Sequence, residues 1–215
     1  WPVRLIQIRH TGAEDLIASL APGSVSGVIA DPPWEYGNTT TGGSGTSSAA
    51  HFYQTGSDAW IASVLASCWP LCGPSAYLAI WCTWPKLSEW FAVHHLIPWR
   101  YVGDSEIWLL YVKGSPRPAD GRQSNAIHAP RLGHSEKPQE ALDLLVRTVA
   151  PEGGLILDPF AGESASLARC CLRLGRQYVG AEIDAERHQR ALRRLSGESA
   201  AQARMKNQIA LFGYT

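Results

Sequence analysis

Residues 155–174 read LILDPFAGESASLARCCLRL, and this stretch decides the fold class. A short apolar run, Leu155 to Leu157, ends at Asp158 and leads through the turn DPFAG into a helical pattern from Ser164 to Leu174. A short apolar run followed by a glycine-containing turn and a helix is typical of one strand–turn–helix unit in a parallel sheet. In that turn Gly162 lets the backbone approach a ligand closely.

The same alternation of strand and helix patterns extends over the rest of the chain. It predicts a single domain, residues 1–215, with a doubly wound, mostly parallel sheet of the Rossmann-like type. Ligands bind to such sheets beyond the carboxyl ends of the strands. The predicted strands are Arg4–Arg9, Ser26–Ala30, Tyr77–Trp81, Glu106–Val112, Leu155–Leu157 and Gln177–Val179. The predicted helices are Ala13–Leu20, Ser57–Cys68, Lys86–His94, Gln139–Ala150, Ser164–Leu174 and Ala185–Leu195.

Two segments are predicted to be mobile loops. Residues 38–50 consist mostly of Thr, Gly and Ser, and residues 113–125 are basic and contain proline. A third segment, LIPWRYVGDSE, is too short to hold both a further strand and a loop before the strand at Glu106. Either the chain is pared down at this place or a segment is missing between about Val102 and Asp104.

Composition sets limits on partners and compartment. Lysine plus arginine and aspartate plus glutamate number 19 each, so no global field attracts nucleic acid or membrane. The five cysteines favour reduced thiols in a cytosolic protein, and no metal site is predicted. Cys68 and Cys72 have the spacing of half a zinc site, but no second pair follows. No apolar run approaches the ~20 residues that cross a bilayer.

Two acidic residues of the C-terminal part indicate a nucleoside cofactor. Glu182 follows Asp158 by 24 residues and ends the next strand pattern. An acid about 20 residues after the glycine turn binds the ribose in dinucleotide folds. Taken singly, Asp158 would pass for a helix-capping residue and Glu182 for a solvated one. Together they favour a cofactor-binding half over residues 134–195.

The stretch VIADPPWEYG, residues 28–37, indicates the chemistry of a second site. A strand ends at Asp31, and Pro32 and Pro33 fix the backbone and remove two amide donors. The carboxylate and the neighbouring carbonyls can accept both hydrogens of an exocyclic amino group. The rings of Trp34 and Tyr36 would stack on a base that has left its duplex. A packed turn would explain the prolines and the aromatic rings but not the aspartate.

The order of motifs resembles the MT-A-seventy family of amino-methyltransferases. DPPW is followed by HFY, residues 51–53, then by APRLGHSEKP, residues 129–138, and then by the cofactor half. The segment LDPFAG…VGAEID is also similar to beta-class DNA amino-methyltransferases. The resemblance implies a Rossmann-like fold that uses S-adenosylmethionine to methylate N6 of adenine.

The same resemblance implies roles for individual residues. Asp31, Pro32, Pro33 and Trp34 would form the catalytic turn. Lys137 would meet the carboxylate of the cofactor, and Ser135 could cap the following helix. The remaining cofactor contacts would come from Asp158, Phe160, Gly162 and Glu182, and the target base would meet Tyr36, His51 and Tyr53. Beta-class enzymes often carry a Gly-Asp pair after the first strand, where this chain has His10, Thr11 and Gly12. Backbone groups at this place would substitute for the pair, and His10 is the residue there that we count as cofactor-binding.

The leading interpretation is a DNA adenine-N6 methyltransferase of bacterial or phage type, cytoplasmic and part of a restriction–modification system. An RNA adenosine enzyme, a cytosine-N4 enzyme and a non-catalytic nucleic-acid-binding subunit are the alternatives. Asp31 favours adenine because many cytosine-N4 enzymes begin this motif with serine. A homodimer is a further possibility that the sequence does not decide. Nucleic acid would meet a local basic rim in or beside the second loop, formed by Lys113, Arg117, Arg122 and Arg131.

Overall fold

The structure is a computed structural model that describes residues 5–34, 56–83, 99–101, 106–117, 126–127 and 137–197. Strands and helices alternate in the N-terminal and C-terminal parts of these residues, as the sequence predicts, whereas four strands follow one another between residues 72 and 127. The strands are β1 (Ile6–His10), β2 (Val25–Ala30), β3 (Cys72–Thr83), β4 (Trp99–Tyr101), β5 (Glu106–Lys113), β6 (Ala126–Ile127), β7 (Leu155–Asp158) and β8 (Gln177–Glu182). The helices are α1 (Ala13–Ala18), α2 (Asp58–Cys68), α3 (Gln139–Val149), α4 (Ser166–Leu174) and α5 (185–197).

Most predicted elements are confirmed, with boundaries that move by a few residues. The strand predicted at Tyr77–Trp81 is longer, because β3 runs over twelve residues. Two short strands were not predicted. One of them, β4, occupies three residues of the segment that was judged too short for both a further strand and a loop. The predicted loop 38–50 and the predicted helix Lys86–His94 lie outside the described residues.

The eight strands form one sheet in the order β1-β8-β7-β2-β3-β5-β4-β6. The five strands from β1 to β3 in this order run parallel. The next strand, β5, is antiparallel to β3 and to β4 on its other side, and β4 pairs in parallel with β6. The fold is therefore a mixed α/β fold with a mostly parallel sheet.

Helices lie on both faces of this sheet, so the described residues form two hydrophobic cores. Residues of α1 and α2 pack in one core, and residues of α3, α4 and α5 pack in the other. Strand β2 shows the alternation that produces this: Val28 and Ala30 face the first core, and Ile29 between them faces the second. A strand buried on both faces reads as a continuous apolar run, which is why VIA precedes the first motif.

Local signals position the helices that carry the site. Ser57 caps α2 by accepting a hydrogen bond from the backbone N–H of Trp60. Gly175 ends α4 in the left-handed conformation at φ 78°. In the part of the chain described here, no helix combines the length and the apolar character that a membrane span requires. The thiols of Cys68, Cys72, Cys170 and Cys171 are buried and form no disulfide.

Candidate active site

The acidic residues of the two motifs lie at the same edge of the sheet. Asp31 follows β2, Asp158 ends β7 and Glu182 ends β8, and these three strands are neighbours that run in one direction. From β7 the chain continues outward to β8, whereas from β2 it continues in the opposite direction to β3. The boundary between β7 and β2 is therefore the switch point at which open α/β sheets bind ligands.

Asp31 keeps its carboxylate accessible at this switch point. Its side chain is 45% exposed, and its Oδ2 atom lies 3.1 Å from the Nζ atom of Lys137. The ammonium of Lys137 also lies 4.2 Å from the centre of the Trp81 ring, a cation–π distance. The side chain of Lys137 is only 17% exposed. The carboxylate expected to act in catalysis thus faces solvent on one side and a partly buried cation on the other.

The two prolines after Asp31 form a turn whose carbonyl groups already accept hydrogen bonds. The carbonyl of Pro32 accepts from the N–H of Trp34 at 2.8 Å, and the carbonyl of Pro33 accepts from the N–H of Gly56 at 2.9 Å. The sequence had predicted that carbonyls beside Asp31 would accept hydrogens of an exocyclic amino group. A carbonyl oxygen has two lone pairs, so each keeps one acceptor position. The bond to Gly56 also fixes the start of α2 beside the turn.

Trp34 occupies a different place from the one expected for a base-stacking ring. It is 1% exposed and packs in the core that contains α1 and α2. Its Nε1–H donates a hydrogen bond of 2.9 Å to the backbone carbonyl of Trp81. An indole that is buried and bonded in this way cannot present a face to a base in this conformation. Trp34 instead anchors the end of the turn to β3.

Asp158 is buried and both of its oxygens are bonded within the protein. Oδ1 accepts from the backbone N–H of Phe160 at 3.0 Å, and Oδ2 accepts from the hydroxyl of Tyr178 at 2.8 Å. Burial raises the pKa of Asp158 to about 7, and the negative charges of Asp31 and Glu182 add to the increase. The carboxylate thus shapes the DPFAG turn, and the cofactor contact that the resemblance implied for Asp158 stays a prediction.

Gly180 makes the bond between Tyr178 and Asp158 possible. Gly180 pairs with Asp158 across β7 and β8, two residues beyond Tyr178 on the same face of the strand. A Cβ atom on Gly180 would lie 2.3 Å from the hydroxyl oxygen of Tyr178. The absent side chain therefore lets the phenol ring lie along the strand and reach the carboxylate.

The rest of the DPFAG turn leaves open space above the sheet edge. Gly162 has φ +64°, and a Cβ atom built on it would meet nothing within 4 Å. The ring of Phe160 lies 5.7 Å from that of Trp60, whose indole N–H donates to Glu14 of α1. Trp60 therefore joins the DPFAG turn to α2, the helix that begins next to the DPPW turn.

Glu182 and its neighbours form the third part of the site. Only one of its carboxylate oxygens, Oε1, has a hydrogen-bond partner in the described part of the chain, the backbone N–H of Asp184 at 2.8 Å. Ile183 is 64% exposed, which is unusual for a large apolar side chain. His10 pairs with Glu182 in the sheet, its Nε2 lies 3.1 Å from the carbonyl of Ile183, and its ring stacks on His188. This end of the sheet therefore presents an acceptor, an apolar surface and an imidazole together.

Two residues of the predicted basic rim, Lys113 and Arg117, are described, and neither lies at this edge. Lys113 ends β5 and donates hydrogen bonds to the carbonyls of Trp69 and Cys72 at 3.0 and 2.8 Å, so it belongs to the fold. Because β5 is antiparallel to β3, Lys113 lies opposite Ala76, at the amino-terminal end of β3. Arg117 follows it and lines a cavity of about 400 Å³ at that end. Arg117 is therefore at the opposite edge of the sheet from Asp31.

Several predicted site residues lie outside the described part of the chain. They are Tyr36, His51, Tyr53, Arg122, Arg131 and Ser135. Among the residues that are described, no group of three side chains converges to hold a metal ion. The sequence predicts no metal site, and this finding does not test that prediction for the whole chain.

Three aromatic residues of the site were not singled out from the sequence. Trp81 supports Lys137 and accepts a bond from Trp34, Tyr178 holds Asp158, and Trp60 packs on Phe160. Trp81 and Tyr178 lie within strands, where an aromatic residue is ordinarily a core residue. For Tyr178 the sequence contained one signal, the glycine two residues further along the same strand. Gly180 has no side chain, so it leaves room for the large ring of Tyr178 on the same face of the strand.

Comparison with known proteins relates this site to DNA methylases. A family model described as DNA methylase, of the N6 and N4 methyltransferase type, matches residues 104–193. The matched range contains Lys137, Asp158 and Glu182 but not Asp31. A search of curated protein sequences found no match.

Solved structures extend the likeness over nearly the whole chain. A proposed DNA modification methylase of Thermus thermophilus, also solved with S-adenosyl-L-methionine, aligns over 90% of this chain and 95% of its own, at 18% identity and a TM-score of 0.68. M1.HpyAVI, also solved with the same cofactor, aligns over 89% and 99%, at 22% identity and 0.61. The cytosine-N4-specific PvuII DNA methyltransferase aligns over 94% and 92%, at 12% identity and 0.62. The chain has the fold of these methylases.

Proposed function

We propose that this protein transfers a methyl group from S-adenosylmethionine to the N6 amino group of adenine in DNA. The observation that carries the proposal is the position of Asp31, an accessible carboxylate at the switch point of the sheet. The acids of the second motif lie on the adjacent strands of the same edge. The DNA methylase match over residues 104–193 and the cofactor complexes of two structural neighbours support the proposal.

The residues of the cofactor half fit S-adenosylmethionine. The second carboxylate oxygen of Glu182, the one not bonded to Asp184, suits the ribose hydroxyls, and the exposed Ile183 beside it suits the apolar face of the adenine ring. The open space at Gly162 leaves room for the part of the cofactor that crosses the DPFAG turn. When bound there, the cofactor supplies an electrophilic methyl group. The arrangement of these residues also supports the finer assignment of the fold as doubly wound and Rossmann-like.

Asp31 would act on the target amine. The lone pair of an adenine amino group is delocalised into the ring, so the nitrogen is a poor nucleophile. Hydrogen bonds from its two hydrogens to the Asp31 carboxylate and to the carbonyl of Pro32 favour a pyramidal nitrogen with a localised lone pair. These bonds strengthen as the nitrogen becomes tetrahedral, so they stabilise the transition state more than the bound substrate. The base must leave the duplex to reach this turn.

Trp34 has a supporting part in this scheme. Its bond to the carbonyl of Trp81 fixes the far end of the DPPW turn, so the turn is held in place before a base arrives. A preorganised turn loses little free energy to rearrangement during the reaction. The stacking ring would have to come from another residue, and Tyr36 is the candidate that the sequence offers.

The proposal is tested by methyl transfer from labelled cofactor to double-stranded DNA, single-stranded DNA and RNA oligonucleotides. Nuclease digestion and mass spectrometry of the product then identify the methylated base. We expect N6-methyladenine in DNA from the wild-type protein and, at equal reaction times, far less from Asp31→Ala. Methylation of RNA but not of DNA would show that RNA is the substrate. No transfer to any substrate would indicate a non-catalytic subunit.

Cytosine-N4 methylation is the second candidate, because a cytosine-N4-specific enzyme is among the similar structures and the matching family model covers both chemistries. Cytosine also presents an exocyclic amino group, so Asp31 could bind it in the same way. Duplexes that contain only A·T or only G·C pairs separate the two reactions. Product from the G·C duplex alone would assign the enzyme to cytosine.

The cofactor is tested separately by calorimetric titration. Glu182→Ala removes the ribose acceptor, and the loss of a charge-assisted hydrogen bond weakens binding by about 1.5 to 3 kcal/mol, or roughly ten- to a hundred-fold. Glu182→Gln is the matched control, because it keeps an acceptor for the N–H of Asp184 and removes only the charge. Unchanged affinity in both variants would mean that the ribose binds elsewhere.

A further inference from the structure

Lys137 occupies an unusual position between the two halves of the site. It precedes α3 in the C-terminal half of the chain, yet its ammonium lies 3.1 Å from Oδ2 of Asp31 in the N-terminal motif. The resemblance to known methyltransferases gave this lysine another partner, the carboxylate of the cofactor. The ion pair with Asp31 was not expected from the sequence.

The structure holds Lys137 in this position from two sides. The residue that follows it is Pro138, which is buried, and a residue before proline is confined to extended backbone conformations. The ring of Trp81 lies against the ammonium at 4.2 Å from the ring centre. An ammonium supported by an aromatic face and largely shielded from water points to a built contact, because a freely rotating surface lysine would have neither support.

We infer that Lys137 is a positioning residue for the Asp31 carboxylate, and that it links this carboxylate to the cofactor. The inference rests on the proposed function. An ammonium group has three N–H donors, so it can bind more than one acceptor at a time. One donor fixes Oδ2 of Asp31, which directs the remaining oxygen toward the target amine. A second donor binds the carboxylate of the cofactor, so both anions share a single cation.

Sharing has a measurable consequence. If Lys137 acts through Asp31, its removal lowers the rate of methyl transfer even when cofactor saturates the enzyme. If Lys137 served only the cofactor, saturation would restore the full rate. The shared cation also couples the two anions. Removing the charge of Asp31 should therefore change the affinity for the cofactor in one way when Lys137 is present and in another way when it is absent.

The test is a double-mutant cycle with Lys137→Met, Asp31→Asn and the double variant. Methionine keeps the length of the stem and its packing on Trp81 but has no charge. Lys137→Arg is the matched control, because a guanidinium keeps the charge, pairs with carboxylates and stacks on aromatic rings. Single-turnover rates are measured at saturating cofactor, and affinities are measured for S-adenosylhomocysteine, which lacks the sulfonium charge.

We expect Lys137→Met to reduce the single-turnover rate roughly ten- to a hundred-fold, the size of one charge-assisted contact. In the Asp31→Asn background the same change should alter the rate less than about three-fold, and Lys137→Arg should recover most of the rate. Asp31→Asn should change the affinity for S-adenosylhomocysteine by a factor that differs at least about three-fold between the wild-type and Lys137→Met backgrounds.

Two results would overturn the inference while leaving the proposed function intact. One is an equal effect of Lys137→Met on the rate in both backgrounds, and the other is a wild-type rate for Lys137→Met at saturating cofactor. If the wild-type protein binds S-adenosylhomocysteine but transfers no methyl group, the proposed function is contradicted instead. The affinity cycle would then still decide whether Lys137 couples the two anions.

Discussion

The two Asp-Pro turns of this protein have the same beginning in sequence and opposite environments in the fold. Asp31 directly follows a buried strand and Asp158 ends a buried strand of the same sheet, and each is followed by proline. The side chain of Asp31 is 45% exposed and paired with Lys137. Asp158 is 4% exposed and bonded to Tyr178 and to the backbone of Phe160.

This difference arises from residues that neither motif contains. Tyr178 comes from β8 and covers Asp158 because Gly180 leaves room for its ring. Lys137 comes from the segment before α3 and leaves one side of Asp31 open. A carboxylate that is partly exposed to solvent, such as that of Asp31, can bind a substrate. A buried carboxylate whose two oxygens both accept hydrogen bonds, such as that of Asp158, stabilises a turn instead. The comparison predicts that mutations at the two positions have opposite consequences.

The largest effect is expected for Asp31→Ala on the rate of methyl transfer. The loss of one preorganised electrostatic contact of this type typically reduces the rate on the order of a hundred- to a thousand-fold. Unfolding by urea should change little, because a half-exposed ion pair contributes at most about 1 kcal/mol. Single-turnover kinetics and denaturation of the same preparation measure both quantities. A full rate in the folded variant would contradict the role of Asp31.

The second prediction is the reverse for Asp158→Ala. The change leaves the hydroxyl of Tyr178 and the N–H of Phe160 without their acceptor, and each unsatisfied buried group costs about 1 to 3 kcal/mol. We therefore expect a loss of about 2 to 6 kcal/mol in the free energy of unfolding, measured by urea denaturation. The single-turnover rate per folded molecule at saturating cofactor should change less than that of Asp31→Ala. A stable variant with a rate as low as that of Asp31→Ala would place Asp158 in the chemistry.

Much of the fold could be predicted because periodicity and turn residues are local. Strand β2 was recognised from an apolar run before a turn, and α3 from apolar residues on one face. The short strands β4 and β6 could not be recognised, since three and two residues carry no periodicity. Their pairing depends on the neighbouring strand β5, which supplies the partner for β4.

The site was predictable in its acids and less so in its arrangement. Motifs at strand ends placed Asp31, Asp158 and Glu182 at one edge, because parallel strands share their carboxyl ends. The burial of Trp34 could not be read from DPPW, since the acceptor for its indole N–H is a backbone carbonyl of β3, 47 residues away. The position of Arg117 could not be read either, because it follows from the antiparallel direction of β5.

The third prediction concerns how the stability of the protein depends on pH. Burial raises the pKa of Asp158 from its ordinary value of 3.8 to about 7. Between these values the folded state binds a proton that the unfolded state has lost, so the free energy of unfolding decreases as pH rises toward 7. Above about pH 7 both states are ionised and this contribution stops changing. From pH 5 to pH 8 the loss should be about 2 to 3 kcal/mol.

Asp158→Asn is the control for this pH dependence, because asparagine does not titrate and can still accept from the N–H of Phe160. Urea denaturation of both proteins at pH 5 and pH 8 isolates the contribution of Asp158, since all other titrating groups are common to the two. The wild-type protein should lose more stability than the variant over this interval. Equal losses would mean that Asp158 is ionised throughout the range.

The smallest effect is expected for Arg117→Ala on DNA binding. The sequence placed this arginine in a nucleic-acid-binding rim, but in the fold it lies beyond the amino-terminal end of β3, whereas Asp31 lies beyond the carboxyl end of the neighbouring strand β2. Lys113 pairs with β3 at Ala76, and Glu106 pairs with β3 at Thr83, seven residues further along the strand. At about 3.3 Å per residue, the two edges are roughly 23 Å apart. DNA whose base is bound at Asp31 should therefore make no phosphate contact with Arg117.

For Arg117→Ala we expect less than a two-fold change in affinity for DNA and an unchanged slope of log affinity against log salt concentration. A slope that falls by about one unit would mean that Arg117 binds a phosphate, and that the DNA extends around the sheet to its opposite edge.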